Sequence, residues 1–118
     1  MLNEQIDLSI VIPVYNSWKS CADILNRILN FKIDWVEIKI VNDASVEKPI
    51  RSAFTEKLFN NKKVQIINLK KNVGVSRARN IGFKASRGKY VWFFDSDDQV
   101  GKDLNSALDT FKKSKDKN

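Results

Sequence analysis

The sequence predicts an α/β fold in which a mostly parallel, Rossmann-like sheet carries helices on both faces. Four short runs rich in β-branched and aromatic residues alternate with four segments whose apolar residues recur at helical spacing. That order is typical of parallel sheets, in which a crossover helix follows each strand. The length of 118 residues and the 42% of apolar side chains suit one compact domain. We therefore expect residues 1–118 to form a single domain with a frayed basic tail at 112–118.

The strands are predicted from apolar runs that stop at turn-forming residues. The first run begins at Leu8 and is stopped by Pro13. The second run ends at Asn42-Asp43, and the fourth leads directly into Asp95. The four predicted strands are 8–12, 36–41, 64–69 and 89–94.

The helices are predicted from apolar spacing and from residues typical of helix ends. Pro49 suits the first turn of the second helix, and Gly88 stands where the third helix should stop. Gly82 makes the third helix about 1 kcal/mol less stable than Ala would. A glycine at this position therefore indicates that another element packs closely against the helix there. The first predicted helix runs from a cap at Asn16-Ser17 to about Phe31, and the second runs from Pro49 past Leu58. The third runs from Val75 towards Gly88, and the fourth lies around Leu104, Leu108 and Phe111.

Composition excludes several classes of function. The single cysteine, Cys21, rules out an intrachain disulfide and a cysteine zinc site, and its apolar helical neighbours favour a core position. The absence of histidine removes the usual general base. No glycine-rich phosphate loop or acidic pair follows the first strand, which argues against P-loop NTPases, dinucleotide dehydrogenases, nucleotidyltransferases and phospho-receiver domains. The longest aromatic-aliphatic run, at 90–94, is too short to span a membrane.

The chain is basic, with a net charge of +7 from 21 basic and 14 acidic residues. Such a charge can attract nucleic acid, an anionic membrane surface or phosphorylated small molecules. No zinc-finger pattern, RNA-recognition motif or arginine-rich run is present, so we expect no nucleic-acid partner. A solvated basic surface and a role at a membrane surface or a phosphate group both stay open.

An acidic cluster follows the fourth predicted strand, where ligands of parallel sheets bind. Three carboxylates at 95, 97 and 98 repel one another, and a divalent cation such as Mg²⁺ or Mn²⁺ would remove that repulsion. Asp95 and Asp97 point to the same side of an extended segment, so both can face one ion. The alternative is a solvated acidic turn that caps the following helix.

Other candidate residues lie at the same edge of the predicted sheet. Asp43 could bind the edge of a base, Tyr15 could stack on one, and Arg77 or Arg79 could contact a diphosphate or a base near a helix N-terminus. Each residue also has an ordinary structural explanation. Asp43 suits a turn or a helix cap, and a surface arginine is usually solvated or paired.

Four motifs in order resemble those of one enzyme family. They are LSIVIPVYN at 8–16, VEIKIVNDAS at 36–45, NVGVSRARNIG at 72–82 and GKYVWFFDSDD at 88–98. Together they closely resemble the nucleotide-sugar-binding half of family 2 glycosyltransferases, which have the GT-A fold. The resemblance implies that the full-length protein transfers a sugar from a nucleoside-diphosphate donor, usually a UDP-sugar, with inversion at the anomeric carbon.

The resemblance also implies roles for individual residues. Tyr15 beside Pro13 would pack on the base, Asp43 would bind the base edge, and Arg79 would anchor the nucleotide. Asp95-Ser96-Asp97 matches the family's Asp-x-Asp motif, in which Asp97, with Asp95 near it, would hold Mn²⁺ or Mg²⁺ against the diphosphate. The implied sites are nucleotide-binding at Pro13, Tyr15, Asp43, Arg79, Asp95 and Ser96, and metal-binding at Asp97 and Asp95.

Two features depart from the family pattern. The family commonly has Asp-Asp-Gly-Ser after its second strand, whereas this chain has Asn42-Asp43-Ala44-Ser45. Family members also continue for about another hundred residues, which supply the acceptor site and the catalytic base. We therefore expect a fragment that binds donor but lacks the base and does not turn over.

The resemblance leaves a second function class open and suggests partners. The alternative to a donor-binding domain is a non-catalytic nucleotide-binding or scaffold module of the same fold. The expected partners are a nucleoside-diphosphate sugar and a saccharide or lipid-linked acceptor bound by the missing part. The expected location is cytoplasmic, with association at the inner face of the membrane also open.

Overall fold

The computed structural model describes residues 5–49, 52–95 and 101–116, and within the last helix the side chains of residues 106–113. Strands and helices alternate along the chain as the sequence predicts. The elements are β1 (Leu8–Val14), α1 (Trp18–Asn30), β2 (Val36–Asn42), α2 (Ala53–Phe59), β3 (Val64–Asn68), α3 (Val75–Ala85), β4 (Tyr90–Phe93) and α4 (Gly101–Asp116).

The four strands form one parallel sheet in the order β3-β2-β1-β4. The predicted α/β class with a parallel, Rossmann-like sheet is confirmed. The chain winds outward from β1 through β2 to β3, and α3 then carries it back across the sheet to β4, on the other side of β1. The strand order therefore reverses between β1 and β4, which is the position where open parallel sheets bind ligands.

The two faces of the sheet carry cores of unequal size. The larger core joins alternate residues of β1 and β2 to α1, to Leu58 of α2 and to Leu108 of α4. Cys21 of α1 is fully buried in it as predicted, and burial raises the pKa of its thiol to about 12. The smaller core, on the other face, joins Val11 and Val41 to Ala78 of α3. Helices thus cover both faces, and α3 is the helix that packs on the second.

Pro13 does not stop the first strand, which continues to Val14. Successive residues of a parallel strand present their backbone groups to opposite neighbours, so Pro13 and Val11 both face β4. The ladder with β4 ends just before that point, where the Phe94 N–H donates to the Val11 carbonyl at 3.0 Å. The ladder with β2 continues from Pro13 to Val14. At Pro13, β1 is no longer paired with β4, so the missing N–H of the proline leaves no hydrogen bond of that ladder unmade.

Several predicted helix ends are wrong. Pro49 lies before α2, which begins after Ser52 because the side chains of Ser52 and Thr55 cap its first turn reciprocally. Gly88 does not terminate α3, which ends at Ala85. Instead its N–H donates to the Ser9 hydroxyl at 2.8 Å, and a Cβ at this position would lie 2.6 Å from the Ser9 nitrogen.

The close packing predicted at Gly82 is confirmed. A Cβ at Gly82 would clash with the Val11 side chain and lie 3.1 Å from Val41. At the other end of the chain, α4 continues to Asp116 and so includes the basic residues at 112–116. Fraying of the tail at 112–118 stays a prediction. Lys113 pairs with Asp109 one turn earlier at 3.3 Å.

Candidate functional site

A pocket of about 350 Å³ opens at the carboxyl edge of the sheet, where the strand order reverses. Five of the residues singled out from the sequence line it: Pro13, Tyr15, Asp43, Arg79 and Asp95. They follow β1, β2 and β4 or lie on α3, so the parallel topology brings them together from distant parts of the chain.

The remaining three candidates are Arg77, Ser96 and Asp97. Arg77 is exposed on α3 and does not line it. Ser96 and Asp97 lie outside the described residues. Within the described part of the chain, no group of three acidic, cysteine or histidine side chains could hold a metal ion.

Asp43 is buried at the floor of this edge, with 4% of its surface exposed. Its N–H donates to the Val14 carbonyl at 2.8 Å, which extends the β1–β2 ladder by one step. Its two carboxylate oxygens accept hydrogen bonds from the N–H groups of Val73 at 2.7 Å and Gly74 at 3.0 Å. The Asn72 side-chain amide donates to the Asp43 carbonyl at 3.2 Å. Asp43 therefore binds the whole 72–74 loop that leads into α3.

Arg79 reaches the pocket from the second turn of α3. Its Nε is buried and has no hydrogen-bond partner among the described residues. An unsatisfied buried donor costs about 1–3 kcal/mol, so an acceptor supplied by a ligand would be favourable there. The side chain of Arg79 therefore lines the pocket and carries a donor that no described residue uses.

Tyr15 and Asp95 both line the pocket. Tyr15 follows Pro13 and Val14 at the end of β1 and is 49% exposed, so its ring face is available to a flat ligand. Asp95 follows β4 by two residues and is half-buried. Its carboxylate provides the hard oxygen atoms that Mg²⁺ and Mn²⁺ prefer.

Hydrogen bonds connect the segment after β1 to the loop after β2 beside the pocket. The Asn16 N–H donates to the Ser45 hydroxyl at 3.0 Å, and the Asn16 side-chain oxygen accepts from the Glu47 N–H at 2.9 Å. The indole of Trp18 donates to the Glu47 carbonyl at 3.0 Å. Ala44 in the second loop has a left-handed φ of 58°, and it stands where the family commonly has glycine.

Sequence reasoning missed several residues that line the pocket. They are Val14, Ser17, Asn72, Gly74 and Val75. The last three could have been found from the parallel topology, because the segment between β3 and α3 must lie at the carboxyl edge of the sheet. Gly74 has a φ of 93° at the N-cap of α3, a left-handed conformation that a side chain would strain.

A second polar cluster lies on the α3 face, around Glu37 of β2. The Glu37 carboxylate accepts from the Ser9 hydroxyl at 2.6 Å and from the Arg87 N–H at 2.7 Å. Lys39 lies 3.4 Å and Arg87 Nε 3.3 Å from its other oxygen. Burial by itself would raise the pKa of Glu37, but the hydrogen bonds from Arg87 and Ser9 and the charge of Lys39 outweigh it and hold that pKa below its usual value.

The fold and the pocket define a doubly wound α/β protein with a pocket at its strand-order reversal. Residues 9–117 match the family model described as Glycosyl transferase family 2. The chain belongs to this family, as the four sequence motifs indicate.

Individual relatives agree with this assignment. An uncharacterized glycosyltransferase of Rickettsia bellii is 37% identical over 91 residues, which are 77% of this chain and 13% of that protein. The uncharacterized glycosyltransferase YibD of Escherichia coli is 32% identical over 112 residues, 93% of this chain and 31% of that protein. A crystal structure of Staphylococcus aureus TarS residues 1–349 in complex with UDP-GlcNAc superposes with a TM-score of 0.70 at 28% identity, covering 92% of this chain and 32% of that one.

The chain thus spans about a third or less of the length of these relatives. In the part of the chain that the structure describes, no helix is both long and apolar enough to cross a bilayer.

Proposed function

We propose that the pocket binds the nucleoside-diphosphate part of a sugar donor, with a UDP-sugar as the substrate class. The observation that carries the proposal is the buried Arg79 Nε, which finds no partner among the described residues and belongs to a pocket at the strand-order reversal. TarS, with 28% identity over 92% of this chain, has been crystallised with UDP-GlcNAc. That likeness supports the choice of a UDP-sugar.

The proposed contacts follow the positions of the side chains. Tyr15, beside Pro13, packs on the base, because its ring is exposed at the rim. Arg79 and the N-terminus of α3 face the negative charge of the nucleotide, since both present N–H donors at one wall of the pocket. Asp43 forms the floor. The family resemblance, rather than a described position, is the support for Ser96, which with Asp95 is proposed to contact the ribose.

A divalent cation fits the chemistry of the donor set. Asp95 presents carboxylate oxygens at the pocket, and Asp97, two residues further on, would share the ion with it. The residues proposed to hold Mn²⁺ or Mg²⁺ are therefore Asp97 and Asp95. When bound, the cation would neutralise the charge that develops on the departing diphosphate.

The proposed activity of the whole protein is the transfer of that sugar, with inversion, to a saccharide or lipid-linked acceptor, as in polysaccharide biosynthesis. The family assignment supports the transferase class, because the matched residues cover most of the chain. The proposed location is the cytoplasm, with association at the inner face of the membrane left open. We propose that this chain alone contributes donor binding and does not turn over.

Calorimetric titration with UDP in the presence of Mn²⁺ tests the proposal. Arg79→Gln is expected to weaken UDP binding at least tenfold, because it removes the charged donor from the pocket. Arg77→Gln is the matched control, since Arg77 lies on the same helix but outside the pocket, and it should change the affinity less than about twofold. Removing the cation or introducing Asp97→Ala should also weaken binding.

Two results would contradict the proposal. If the two arginine substitutions had equal effects, net charge rather than the pocket would explain binding. If the folded wild-type chain bound no UDP at millimolar concentration, the non-catalytic scaffold interpretation would replace donor binding.

A further inference from the structure

We propose that Asn16 and Ser45 are positioning residues that hold the ring of Tyr15 at the rim of the pocket, where it packs on the base of the donor. This inference rests on the proposed function, because it concerns how the proposed nucleotide site is built. In the described part of the chain, neither Asn16 nor Ser45 lines the pocket, so both would act through Tyr15.

The backbone of Tyr15 is held on both sides by hydrogen bonds to the loop after β2. The Val14 carbonyl, in the peptide group before Tyr15, accepts from the Asp43 N–H at 2.8 Å. The Asn16 N–H, in the peptide group after Tyr15, donates to the Ser45 hydroxyl at 3.0 Å. Because the orientations of these two peptide groups define φ and ψ of Tyr15, the two bonds set the direction in which its side chain leaves the backbone.

The loop that makes these bonds is itself anchored to the sheet. The Ser45 N–H donates to the side-chain oxygen of Asn42 at 3.0 Å, and the Asn42 amide group donates to the side-chain oxygen of Asn68 at 2.9 Å. Asn42 and Asn68 are the last residues of β2 and β3. A continuous series of bonds therefore connects the peptide group after Tyr15 to the carboxyl ends of two strands.

The side chain of Asn16 makes a second attachment to the same loop. Its amide oxygen accepts from the Glu47 N–H at 2.9 Å, and the Glu47 carbonyl accepts from the indole N–H of Trp18 at 3.0 Å. Asn16 also has a left-handed φ of 55°, a conformation that asparagine adopts more readily than most residues. Asparagine therefore suits this position both as an acceptor and in its backbone conformation.

These attachments matter because packing covers only about half of Tyr15. With 49% of its surface exposed, the ring is held largely through its backbone. A mobile ring must lose conformational freedom when a base packs on it, and that loss weakens binding. Holding the Tyr15 backbone in place before the ligand arrives reduces this cost.

A general contribution to folding is the competing role for Asn16 and Ser45. Substitutions would then lower the free energy of unfolding but leave Tyr15 and the UDP affinity of the folded chain unchanged. Positioning predicts instead an effect that is seen at the Tyr15 ring, that requires a base in the ligand, and that disappears when the ring is removed.

The first measurement is fluorine NMR of the free chain labelled with fluorotyrosine. The chain has two tyrosines, so Tyr15→Phe assigns both signals. Tyr90 packs against Phe111, with ring centroids 5.6 Å apart, and serves as the internal control. In Asn16→Gly, which keeps the left-handed φ accessible, and in Ser45→Ala, we expect the Tyr15 signal to shift or broaden and the Tyr90 signal to stay unchanged.

Asn30→Gly is the matched control for the asparagine substitution. Asn30 is exposed at the end of α1 and undergoes the same chemical change outside the pocket. This variant should leave both tyrosine signals and the UDP affinity unchanged.

The second measurement is titration with UDP and with inorganic diphosphate, both in the presence of Mg²⁺. We expect Asn16→Gly to weaken UDP binding about fivefold and Ser45→Ala about two- to threefold, and diphosphate binding to change less than about 1.5-fold because this ligand has no base. In a Tyr15→Ala background, Asn16→Gly should change the UDP affinity less than about 1.5-fold. Equal losses for the two ligands, or a full loss that persists without the ring, would overturn the inference.

The two measurements separate this inference from the proposed function. If the wild-type chain binds no UDP, the proposed function fails, but the fluorine signal of Tyr15 still decides whether Asn16 and Ser45 hold the ring. If Asn16→Gly does not fold, Ser45→Ala provides the same measurements, since it removes only the hydroxyl that accepts from Asn16. An unchanged Tyr15 signal in the folded variants would overturn the inference even if UDP binds.

Discussion

Replacing Glu37 by glutamine should destabilise the chain strongly, although Glu37 lies away from the pocket. The carboxylate is buried on the α3 face of β2, with 5% of its side chain exposed. Glutamine preserves the size of the side chain but removes the negative charge and one of the two acceptor oxygens. The change therefore isolates the electrostatic contribution of the network.

The magnitude follows from the contacts of the carboxylate. The bonds from the Ser9 hydroxyl at 2.6 Å and the Arg87 N–H at 2.7 Å both reach one oxygen, and hydrogen bonds to a charged group contribute about 1.5–3 kcal/mol each. The Arg87 guanidinium adds little because its side chain is 66% exposed. Lys39, with 10% of its side chain exposed, loses its partner charge. Since glutamine keeps one acceptor, we expect a net loss of about 3 kcal/mol in the free energy of unfolding.

Urea unfolding followed by circular dichroism measures this loss, and a thermal melt should show a Tm lower by about 10 °C. Glu47→Gln is the matched control, because Glu47 is exposed and the same change there should cost less than about 0.5 kcal/mol. A loss below about 1 kcal/mol for Glu37→Gln would refute the reasoning, since the buried contacts would then contribute no more than surface ones.

The same network predicts the sign of a pH effect. The pKa of Glu37 is held below its usual value in the folded chain, so its charge contributes stability that is fully present above the unfolded pKa of about 4.3. That contribution is lost as the pH falls through the folded pKa, where the carboxyl is protonated. The stability difference between wild type and Glu37→Gln should therefore be constant near neutral pH and shrink below about pH 4. A difference that grew on acidification would contradict the assigned direction.

Two further predictions concern backbone positions near the site. Gly82→Ala should destabilise the chain by about 1–2 kcal/mol in urea unfolding, because overpacking against Val11 outweighs the gain in helix propensity. It should also weaken UDP binding, because the added methyl group displaces α3. An unchanged or raised stability would show that the helix shifts freely. Ala44→Gly should stabilise the chain by about 0.5 kcal/mol, because the relief of backbone strain at a φ of 58° exceeds the cost of the added entropy of the unfolded state. A loss of stability would mean that the Ala44 side chain contributes packing that offsets its strain.

The sequence predicts the order of the elements well because local patterns determine them. Strands such as β2 are recognised from β-branched runs, and α1 from apolar residues spaced three or four apart. The errors lie where a tertiary contact decides. Pro13 is tolerated because the β4 ladder has already ended, and Gly88 is needed for its approach to Ser9 rather than to end a helix. Neither contact is visible in a local pattern.

The pocket was accessible to sequence reasoning for a different reason. A parallel topology places every strand's carboxyl end at one edge, so Tyr15, Asp43 and Asp95 could be grouped without any knowledge of side-chain packing. The contacts among these residues could not be predicted in this way. That the carboxylate of Asp43 binds two backbone N–H groups depends on the path of the 72–74 loop, which no residue pattern determines.

Two carboxylates, Glu37 in β2 and Asp43 directly after it, have related functions at opposite ends of α3. Asp43 binds the N–H groups of Val73 and Gly74, just before the helix, whereas Glu37 binds the N–H of Arg87, just after it. Between them Gly82 lets the helix approach the sheet closely. The helix that carries Arg79 is thus attached to the central strands at three points, and the two charged attachments are six residues apart along β2 and the residue that follows it. Because the pocket lies only at the Asp43 end, substitutions there should change nucleotide affinity in the folded chain, whereas Glu37→Gln should mainly change the fraction of chains that is folded.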